Sequence, residues 1–198
     1  MAETVWYVGY GSNLSEDRFT RYLGDEDGDG GQGRRVSRWV EFDYPVYFAG
    51  ASRSWGGAVA FCGLFPAPEP ATTARAYAVS VDELTTVLAL ENGRRSLPWE
   101  LPDTEVGEWS PLPVSLADDG FGGKYNAVLR LPDIDGAPAF TVTTSHVLPL
   151  ADPAPEYLEV ITAARADRPV ADLVDLLDLV DAGVAPGMTG DNREYLAS

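Results

Sequence analysis

The pattern of apolar and polar positions along the chain predicts many short strands and a few helices. Runs rich in aromatic and β-branched residues, which are typical of strands, occur at residues 5–8, 39–42, 45–49, 57–65, 74–79, 124–131 and 139–148. Helical spacing of apolar residues occurs at residues 15–23, 81–90, 157–166 and 170–180. Strands and helices do not alternate regularly, as they do in a doubly wound sheet. The pattern therefore predicts an α+β fold.

Capping residues mark the ends of two of these predicted helices. Ser15 stands before the first helix, and Ser80 stands before the second, where a hydroxyl can accept a hydrogen bond from a free backbone N–H group. The Asn-Gly pair at residues 92–93 is a good helix end. The second helix, predicted over residues 81–90, is therefore expected to end at this pair.

The composition narrows the classes of partner. The 198 residues include 14 Lys or Arg and 31 Asp or Glu, for a net charge of −17. Binding to nucleic acid or to an anionic membrane relies on clustered cationic side chains, and the sequence has no such cluster. No apolar run is long enough to cross a membrane, and no signal-peptide pattern is visible. We therefore expect a cytoplasmic protein that binds neither nucleic acid nor a membrane.

Two binding motifs begin in the sequence but are incomplete. A dinucleotide fingerprint could start at Gly9 and Gly11, but Leu14 occupies the position of its third glycine. Residues 25–30 copy the start of a calcium loop, but Val36 stands where the bidentate Glu belongs. We interpret the first segment as something other than a nucleotide site and the second as a solvated acidic turn.

Histidine and cysteine are too scarce for several kinds of catalytic site. His146 is the single histidine and Cys62 the single cysteine, so a histidine-rich metal site, a thiolate cluster and an intrachain disulfide are excluded. A Ser-His-Asp triad would have to use His146, and the sequence has no G-x-S-x-G elbow. Both residues are expected to be structural.

The segment after the first predicted strand, residues 9–14 (Gly-Tyr-Gly-Ser-Asn-Leu), is a candidate binding loop. Its two glycines allow a tight turn and a close approach of the backbone to a ligand. A loop that enters a helix also exposes unpaired N–H groups, which can bind a carboxylate or an oxyanion. An ordinary strand-to-helix turn explains the same residues, so the loop by itself does not define a site.

Glu91 is the second candidate feature. At the end of the second helix it falls on the apolar stripe formed by Leu84, Val87 and Leu88. Burial there, and the negative end of the helix, would both raise the pKa of its carboxyl group and so suit it to proton transfer near neutral pH. Alternatively, Glu91 points to water, or Arg94 or Arg95 pairs with it and opposes the shift.

The order of several motifs resembles that of the gamma-glutamyl cyclotransferases. Residues 10–14 (Tyr-Gly-Ser-Asn-Leu), after an aromatic strand, resemble the N-terminal motif of that family. Further resemblances follow in the family's order. Residues 56–61 resemble its Gly-Gly strand, and residues 75–91 resemble its strand–helix unit that ends in the catalytic Glu. Residues 123–125 resemble a strand with a pocket Tyr, and residues 153–157 resemble the start of a late helix with another pocket Tyr. The resemblance covers roughly residues 5 to 165.

The resemblance implies an architecture. It predicts a gamma-glutamyl cyclotransferase-like fold, a small mixed β-barrel or curved sheet flanked by helices. Residues 1–168 would form this domain, with residues 94–123 as an insertion that could cap or reshape the pocket. Residues 169–198 have no counterpart in the family and would form a helical C-terminal extension.

The resemblance also implies a reaction that needs no metal or cofactor. The α-amine of a small-molecule γ-glutamyl substrate attacks its own γ-carbonyl group and releases 5-oxoproline and a free amine or amino acid. Glu91 would carry out the proton transfers. The residues implied to bind the substrate are Tyr10, Gly11, Ser12, Asn13, Leu14, Tyr125 and Tyr157.

Two other functions stay open at this point. A related enzyme could remove the γ-glutamyl group from a specialised metabolite, a γ-glutamylamine or a protein side chain. A non-catalytic small-molecule binding module could keep the pocket without the chemistry. The presence of Glu91 favours an enzyme, because loss of that carboxylate is the simplest route to an inactive relative.

Overall fold

The computed structural model describes residues 3–24, 36–67, 71–114 and 124–166. Within these ranges the strands are β1 (Thr4–Gly9), β2 (Ser37–Phe42), β3 (Val46–Ala49), β4 (Val59–Cys62), β5 (Thr72–Ser80), β6 (Trp109–Pro111), β7 (Ala127–Ile134) and β8 (Ala137–Thr143). The helices are α1 (Glu16–Leu23), α2 (Val81–Glu91), α3 (Pro155–Ala166) and a 3-10 turn at Ser12–Leu14. None of these helices has the length and apolar character needed to cross a membrane.

Three sequence predictions fall outside the described ranges. They are the acidic turn at residues 25–30, the helix at residues 170–180 and the extension at residues 169–198. The proposed division into a domain and an extension therefore stays a prediction.

The main layer is a curved six-stranded sheet with the strand order β2-β5-β1-β8-β7-β6. Neighbouring strands in it are antiparallel except for β1 and β8, which are parallel. A second sheet contains β3 and β4. The α+β prediction is confirmed. Of the two architectures that the resemblance implied, the described strands form the curved sheet, which ends at β2 and β6 and does not close into a barrel.

The boundaries of several strands differ from the predicted ones. Three predicted strands are displaced or shortened. Strand β4 covers Val59–Cys62 rather than residues 57–65, β7 begins at Ala127 rather than at residue 124, and β8 ends at Thr143 rather than at residue 148. Between β7 and β8, Asp135 and Gly136 both have positive φ, as a two-residue hairpin turn of type I′ requires. The short strand β6 was missed, because its three residues include an exposed Trp109 and gain strand geometry only by pairing with β7.

A stack of three aromatic rings holds α1 against the main sheet. The rings of Phe19 and Tyr77 lie 3.9 Å apart between centroids, and those of Phe19 and Tyr7 lie 5.3 Å apart. The hydroxyl of Tyr77 donates a hydrogen bond to the carbonyl oxygen of Asn13 at 2.7 Å. The core therefore fixes the backbone of the loop that leaves β1.

The pairing of β1 with β5 determines where α2 ends. The two strands are antiparallel, with Thr4 opposite Ser80 and Gly9 opposite Arg75, so α2 starts beside the beginning of β1. A helix of this length extends about 16 Å, and a strand of the length of β1 extends about 20 Å. The helix therefore runs back along the strand and brings Glu91 to the loop that follows β1.

The start of α2 is fixed as the sequence predicted. The Ser80 hydroxyl accepts a hydrogen bond from the backbone N–H of Glu83 at 3.2 Å, and the Glu83 carboxylate accepts one from the backbone N–H of Ser80 at 2.8 Å. This capping box satisfies two N–H groups that the first turn of a helix leaves free.

Candidate active site

The loop after β1 forms a single 3-10 turn. The N–H of Leu14 donates to the carbonyl oxygen of Gly11 at 3.0 Å, and the N–H of Ser15 donates to that of Ser12 at 3.2 Å. Gly11 is required here by close packing, because a Cβ atom at this position would lie 2.5 Å from the hydroxyl oxygen of Tyr157. The sequence predicted that this glycine allows a ligand to approach the backbone closely. In the structure, the group that lies close to it is, in part, the Tyr157 side chain of the protein itself.

The side chain of Asn13 connects this loop to the end of α2. Its amide nitrogen donates to the Glu91 carboxylate at 2.5 Å and to the Tyr7 hydroxyl at 2.9 Å. The residue is buried, and its amide oxygen has no hydrogen-bond partner among the described residues. The two features that the sequence singled out, 78 positions apart, therefore meet at one contact.

Glu91 is partly buried, and the environment changes its acidity. Burial raises the pKa of its carboxyl group above the ordinary value of 4.5 and outweighs three opposing influences. These are the hydrogen bond from Asn13 and the positive charges of Lys124 and Arg18. The carboxyl group is therefore better able to accept and return a proton than a solvated glutamate.

Tyr125 and Tyr157 both contact the backbone of Ala60 on β4. The Tyr125 hydroxyl donates to the Ala60 carbonyl oxygen at 3.1 Å, and the Tyr157 hydroxyl accepts from the Ala60 N–H at 3.2 Å. Tyr157 also lies edge-on to Trp55, with ring centroids 5.0 Å apart. Both hydroxyl groups are thus held in place before any ligand binds.

Asn92 attaches the end of α2 to the segment that leads into β7. Its side-chain nitrogen donates to the carbonyl oxygens of Leu88 and Tyr125, both at 3.0 Å, and its oxygen accepts from the N–H of Tyr125 at 3.2 Å. The helix end that carries Glu91 and the backbone that carries Tyr125 are therefore held together by one buried amide.

Four phenols lie close enough to Glu91 to sense its charge. Burial raises the pKa of each, to about 12 for Tyr22 and Tyr157 and well above 10 for Tyr7 and Tyr125, and the negative charge of Glu91 raises it further. All four groups therefore stay protonated at neutral pH and act as neutral hydrogen-bonding groups around the carboxylate.

Two pockets share Glu91 in their linings. We call the first the inner pocket; its cavity volume is about 20 Å³, and its lining includes the loop after β1, Ala60 and Val142. We call the second the outer pocket; its cavity volume is about 230 Å³, and its lining includes α1 and residues 51–55. The residues that line both pockets are Ser12, Glu91, Tyr125 and Tyr157.

The structure brings most of the predicted site residues together. The inner pocket is lined by Tyr10, Gly11, Ser12, Asn13, Glu91, Tyr125 and Tyr157. Leu14 is not part of this lining. Its side chain is fully buried in the core and lines neither pocket. Tyr10 donates its hydroxyl proton to the carbonyl oxygen of Val142 at 2.6 Å, so this group is already used within the protein.

Sequence reasoning missed four residues that surround Glu91. Tyr7 shares a strand face with Gly9, and this period-2 spacing was an available signal. Arg18 and Tyr22 lie one turn apart on α1, and Lys124, the only lysine of the sequence, precedes Tyr125. No local sequence pattern around Arg18, Tyr22 or Lys124 indicates a pocket.

The described residues contain no group of three or more His, Cys, Asp or Glu side chains arranged to hold a metal ion. His146 lies in a bend just after β8 and is partly buried. Cys62 is buried on β4, where burial raises the pKa of its thiol to about 12. Such a thiol is unreactive at neutral pH.

Comparison with known proteins gives a fold and no close sequence relative. No protein-family model and no curated protein matches the chain. A solved structure named "Gamma-glutamyl cyclotransferase" matches with a TM-score of 0.51 and 14% sequence identity over 94% of this chain and 91% of that one. The chain has the gamma-glutamyl cyclotransferase fold.

A second solved structure supports the same fold. It is described as an uncharacterized protein from Homo sapiens, and it matches with a TM-score of 0.51 and 14% identity over 99% of both chains. A structural match at 14% identity shows the gamma-glutamyl cyclotransferase fold and does not show a reaction. The chemistry therefore has to be argued from the residues of the two pockets.

Proposed function

We propose that the protein is an enzyme of the gamma-glutamyl cyclotransferase type. It cleaves a γ-glutamyl amide by attack of the substrate's own α-amine on its γ-carbonyl carbon, and it releases 5-oxoproline and a free amine or amino acid. The observation that carries the proposal is the contact between Asn13 and Glu91 at 2.5 Å. It joins a candidate anion-binding loop to a carboxyl group whose pKa is raised, at the junction of two pockets.

The loop and Asn13 would orient the glutamyl part of the substrate at the mouth of the inner pocket, whose cavity volume of about 20 Å³ holds about one water molecule. The N–H of Leu14 is used inside the 3-10 turn, and that of Ser12 faces the Tyr157 hydroxyl, so the N–H group of Asn13 is the candidate for binding a carboxylate or an oxyanion. The unpaired amide oxygen of Asn13 can accept a hydrogen bond from the substrate's ammonium group. The attacking nitrogen would then lie next to Glu91.

Glu91 would carry protons from the nucleophile to the leaving group. Its carboxylate accepts one proton from the α-ammonium group, and the free amine attacks the γ-carbonyl carbon. The tetrahedral intermediate collapses as Glu91 gives this proton to the leaving nitrogen and the C–N bond breaks. The Glu91 carboxylate then takes the second proton from the ring nitrogen, which leaves the lactam N–H of 5-oxoproline, and passes it to the released amine. Because nucleophile and electrophile belong to one molecule, correct orientation supplies much of the rate.

The test is release of 5-oxoproline, measured by mass spectrometry, from a panel of γ-glutamyl dipeptides, γ-glutamylamines and glutathione. We expect the wild-type protein to release it from at least one member. Glu91→Gln should lower kcat by about 10²- to 10⁴-fold, as loss of a general acid–base typically does, while ligand binding and folding persist.

Glu159→Gln is the matched control, because it removes the same charge from an exposed position on α3. It should keep wild-type turnover. A Glu91→Gln protein with kcat within a few-fold of wild type would remove Glu91 from the mechanism. If the wild-type protein releases 5-oxoproline from no member of the panel, the proposed reaction is wrong and only the fold assignment stands.

A further inference from the structure

We propose that the hydroxyl group of Tyr157 donates the hydrogen bond that stabilises the oxyanion formed on the γ-carbonyl oxygen during cleavage. The inference rests on the proposed function, because this oxyanion exists only in the tetrahedral intermediate of that reaction. It makes Tyr157 a catalytic residue rather than a residue that only closes the pocket. The phenol keeps its proton throughout, since it acts as a donor while negative charge forms on the oxygen and disappears again.

Backbone N–H groups occupy both acceptor positions of the Tyr157 hydroxyl oxygen. This oxygen accepts a hydrogen bond from the N–H of Ala60 at 3.2 Å, and the N–H of Ser12 in the loop after β1 faces it as well. The hydroxyl proton itself has no acceptor among the residues that the structure describes. A hydroxyl group that accepts two hydrogen bonds can still donate one, and accepting them makes it a stronger donor. The geometry therefore leaves this proton for a group in the pocket.

The other phenols that line the inner pocket are less suited to this role. Tyr10 and Tyr125 each donate their proton to a backbone carbonyl oxygen, at 2.6 and 3.1 Å. Tyr7 lines the inner pocket but not the outer one, whereas Tyr157 lines both. The scissile bond would lie at Glu91, which also lines both pockets, so Tyr157 is the phenol whose free proton is on the side of the reacting atoms.

The 3-10 turn after β1 does not provide enough free N–H groups for the charges of a γ-glutamyl substrate. The α-carboxylate carries one negative charge, and the γ-carbonyl oxygen gains another when the amine adds to the carbonyl carbon. Of the three N–H groups of the turn, that of Leu14 is used inside it and that of Ser12 faces Tyr157, which leaves the N–H of Asn13. A second donor is therefore needed, and the Tyr157 hydroxyl group can supply it.

Packing holds the Tyr157 ring in one position. The residue is 2% exposed, and its ring lies edge-on to those of Trp55 and Phe48, with centroids 5.0 and 6.3 Å away. Burial raises the pKa of the phenol to about 12; Glu91 adds to this increase, while the two N–H groups and Arg18 oppose it. The group therefore stays protonated at neutral pH. A donor that is fixed before the reaction needs no reorganisation when charge develops.

The experiment measures kcat and KM of Tyr157→Phe with the panel compound that the wild-type protein cleaves fastest. We expect kcat to fall about 10²- to 10³-fold, the loss typical of one oxyanion donor, and KM to stay within a few-fold of the wild-type value. Calorimetric binding of the same compound to Glu91→Gln and to the Glu91→Gln/Tyr157→Phe double variant should give equal dissociation constants, because the uncleaved substrate carries no oxyanion.

Tyr47→Phe is the matched control, because it removes another buried phenol hydroxyl group at a residue that lines neither pocket. It should keep the wild-type kcat. A second variant keeps the hydroxyl group in place: site-specific replacement of Tyr157 by 3,5-difluorotyrosine lowers the pKa of the phenol. Because a phenolate cannot donate a hydrogen bond, kcat of this variant should fall at a lower alkaline pH than kcat of the wild type.

Three results overturn the inference while the proposed cleavage stands. They are a folded Tyr157→Phe protein with kcat within a few-fold of wild type, a loss that appears in KM rather than in kcat, and an alkaline limb that is the same in the difluorotyrosine variant and the wild type. If the wild-type protein releases 5-oxoproline from no member of the panel, the proposed function is wrong, and the inference with it.

Discussion

The contact between Gly11 and Tyr157 allows a test of the site geometry that needs no substrate. A Cβ atom at position 11 would lie 2.5 Å from the Tyr157 hydroxyl oxygen but 3.7 Å from the ring carbon that carries it. The first distance is a severe overlap and the second an ordinary van der Waals contact. Removing the hydroxyl group should therefore relieve most of the strain that Gly11→Ala creates.

The expected energies follow from these contacts. Gly11→Ala should lower the free energy of unfolding by about 1–3 kcal/mol, the usual cost of overpacking. Tyr157→Phe should lower it by about 1–3 kcal/mol, because the N–H of Ala60 loses its acceptor in a buried place. The double variant should be little less stable than Tyr157→Phe alone, which corresponds to a coupling energy of about 1–2 kcal/mol. The relief is incomplete, since the new Cβ also lies 3.3 Å from that of Ala60.

Urea denaturation of the wild type, the two single variants and the double variant measures this coupling. Tyr125→Phe is the control partner, because it removes a hydroxyl that contacts the carbonyl oxygen of the same residue, Ala60, but is not among the atoms nearest the new Cβ. Gly11→Ala and Tyr125→Phe should be additive within about 0.5 kcal/mol. Additivity of Gly11→Ala with Tyr157→Phe would refute the close approach and with it this account of the loop.

Two further predictions concern the end of α2. Asn92→Ala should lower the free energy of unfolding by about 2–4 kcal/mol in urea denaturation, since the buried side chain makes three hydrogen bonds; a loss below 1 kcal/mol would contradict its anchoring role. The pH dependence follows from the raised pKa of Glu91: the acid limb of a kcat/KM profile should lie above pH 4.5. Because the fold favours the protonated carboxyl group, the wild-type protein should lose stability relative to Glu91→Gln as pH rises through that pKa, and the difference should vanish below pH 4.5. Thermal unfolding of both proteins between pH 4 and pH 9 measures the sign of this stability difference. A difference that grows toward acid pH would show that burial is not the main influence on the pKa of Glu91.

Local signals in the sequence were sufficient for much of the fold and for the two key features of the site. The strand at β1, the helix α2 and its Ser80 cap could be predicted, because periodicity and capping depend on residues close in sequence. The same local pattern placed Glu91 on the apolar stripe of α2. Strand β6 could not be predicted, since its three residues are held by pairing with β7 rather than by any preference of their own.

The sequence by itself therefore determined the α+β class, the loop after β1 and the carboxylate at the end of a helix. Only the tertiary structure decided that these meet, because the contact between Asn13 and Glu91 depends on the antiparallel register of β1 with β5 and on the length of α2. It also decided that Leu14 packs into the core and that Arg18 and Lys124 line a pocket. The physical reason is that burial and electrostatic environment arise between segments far apart in sequence, where no local pattern records them.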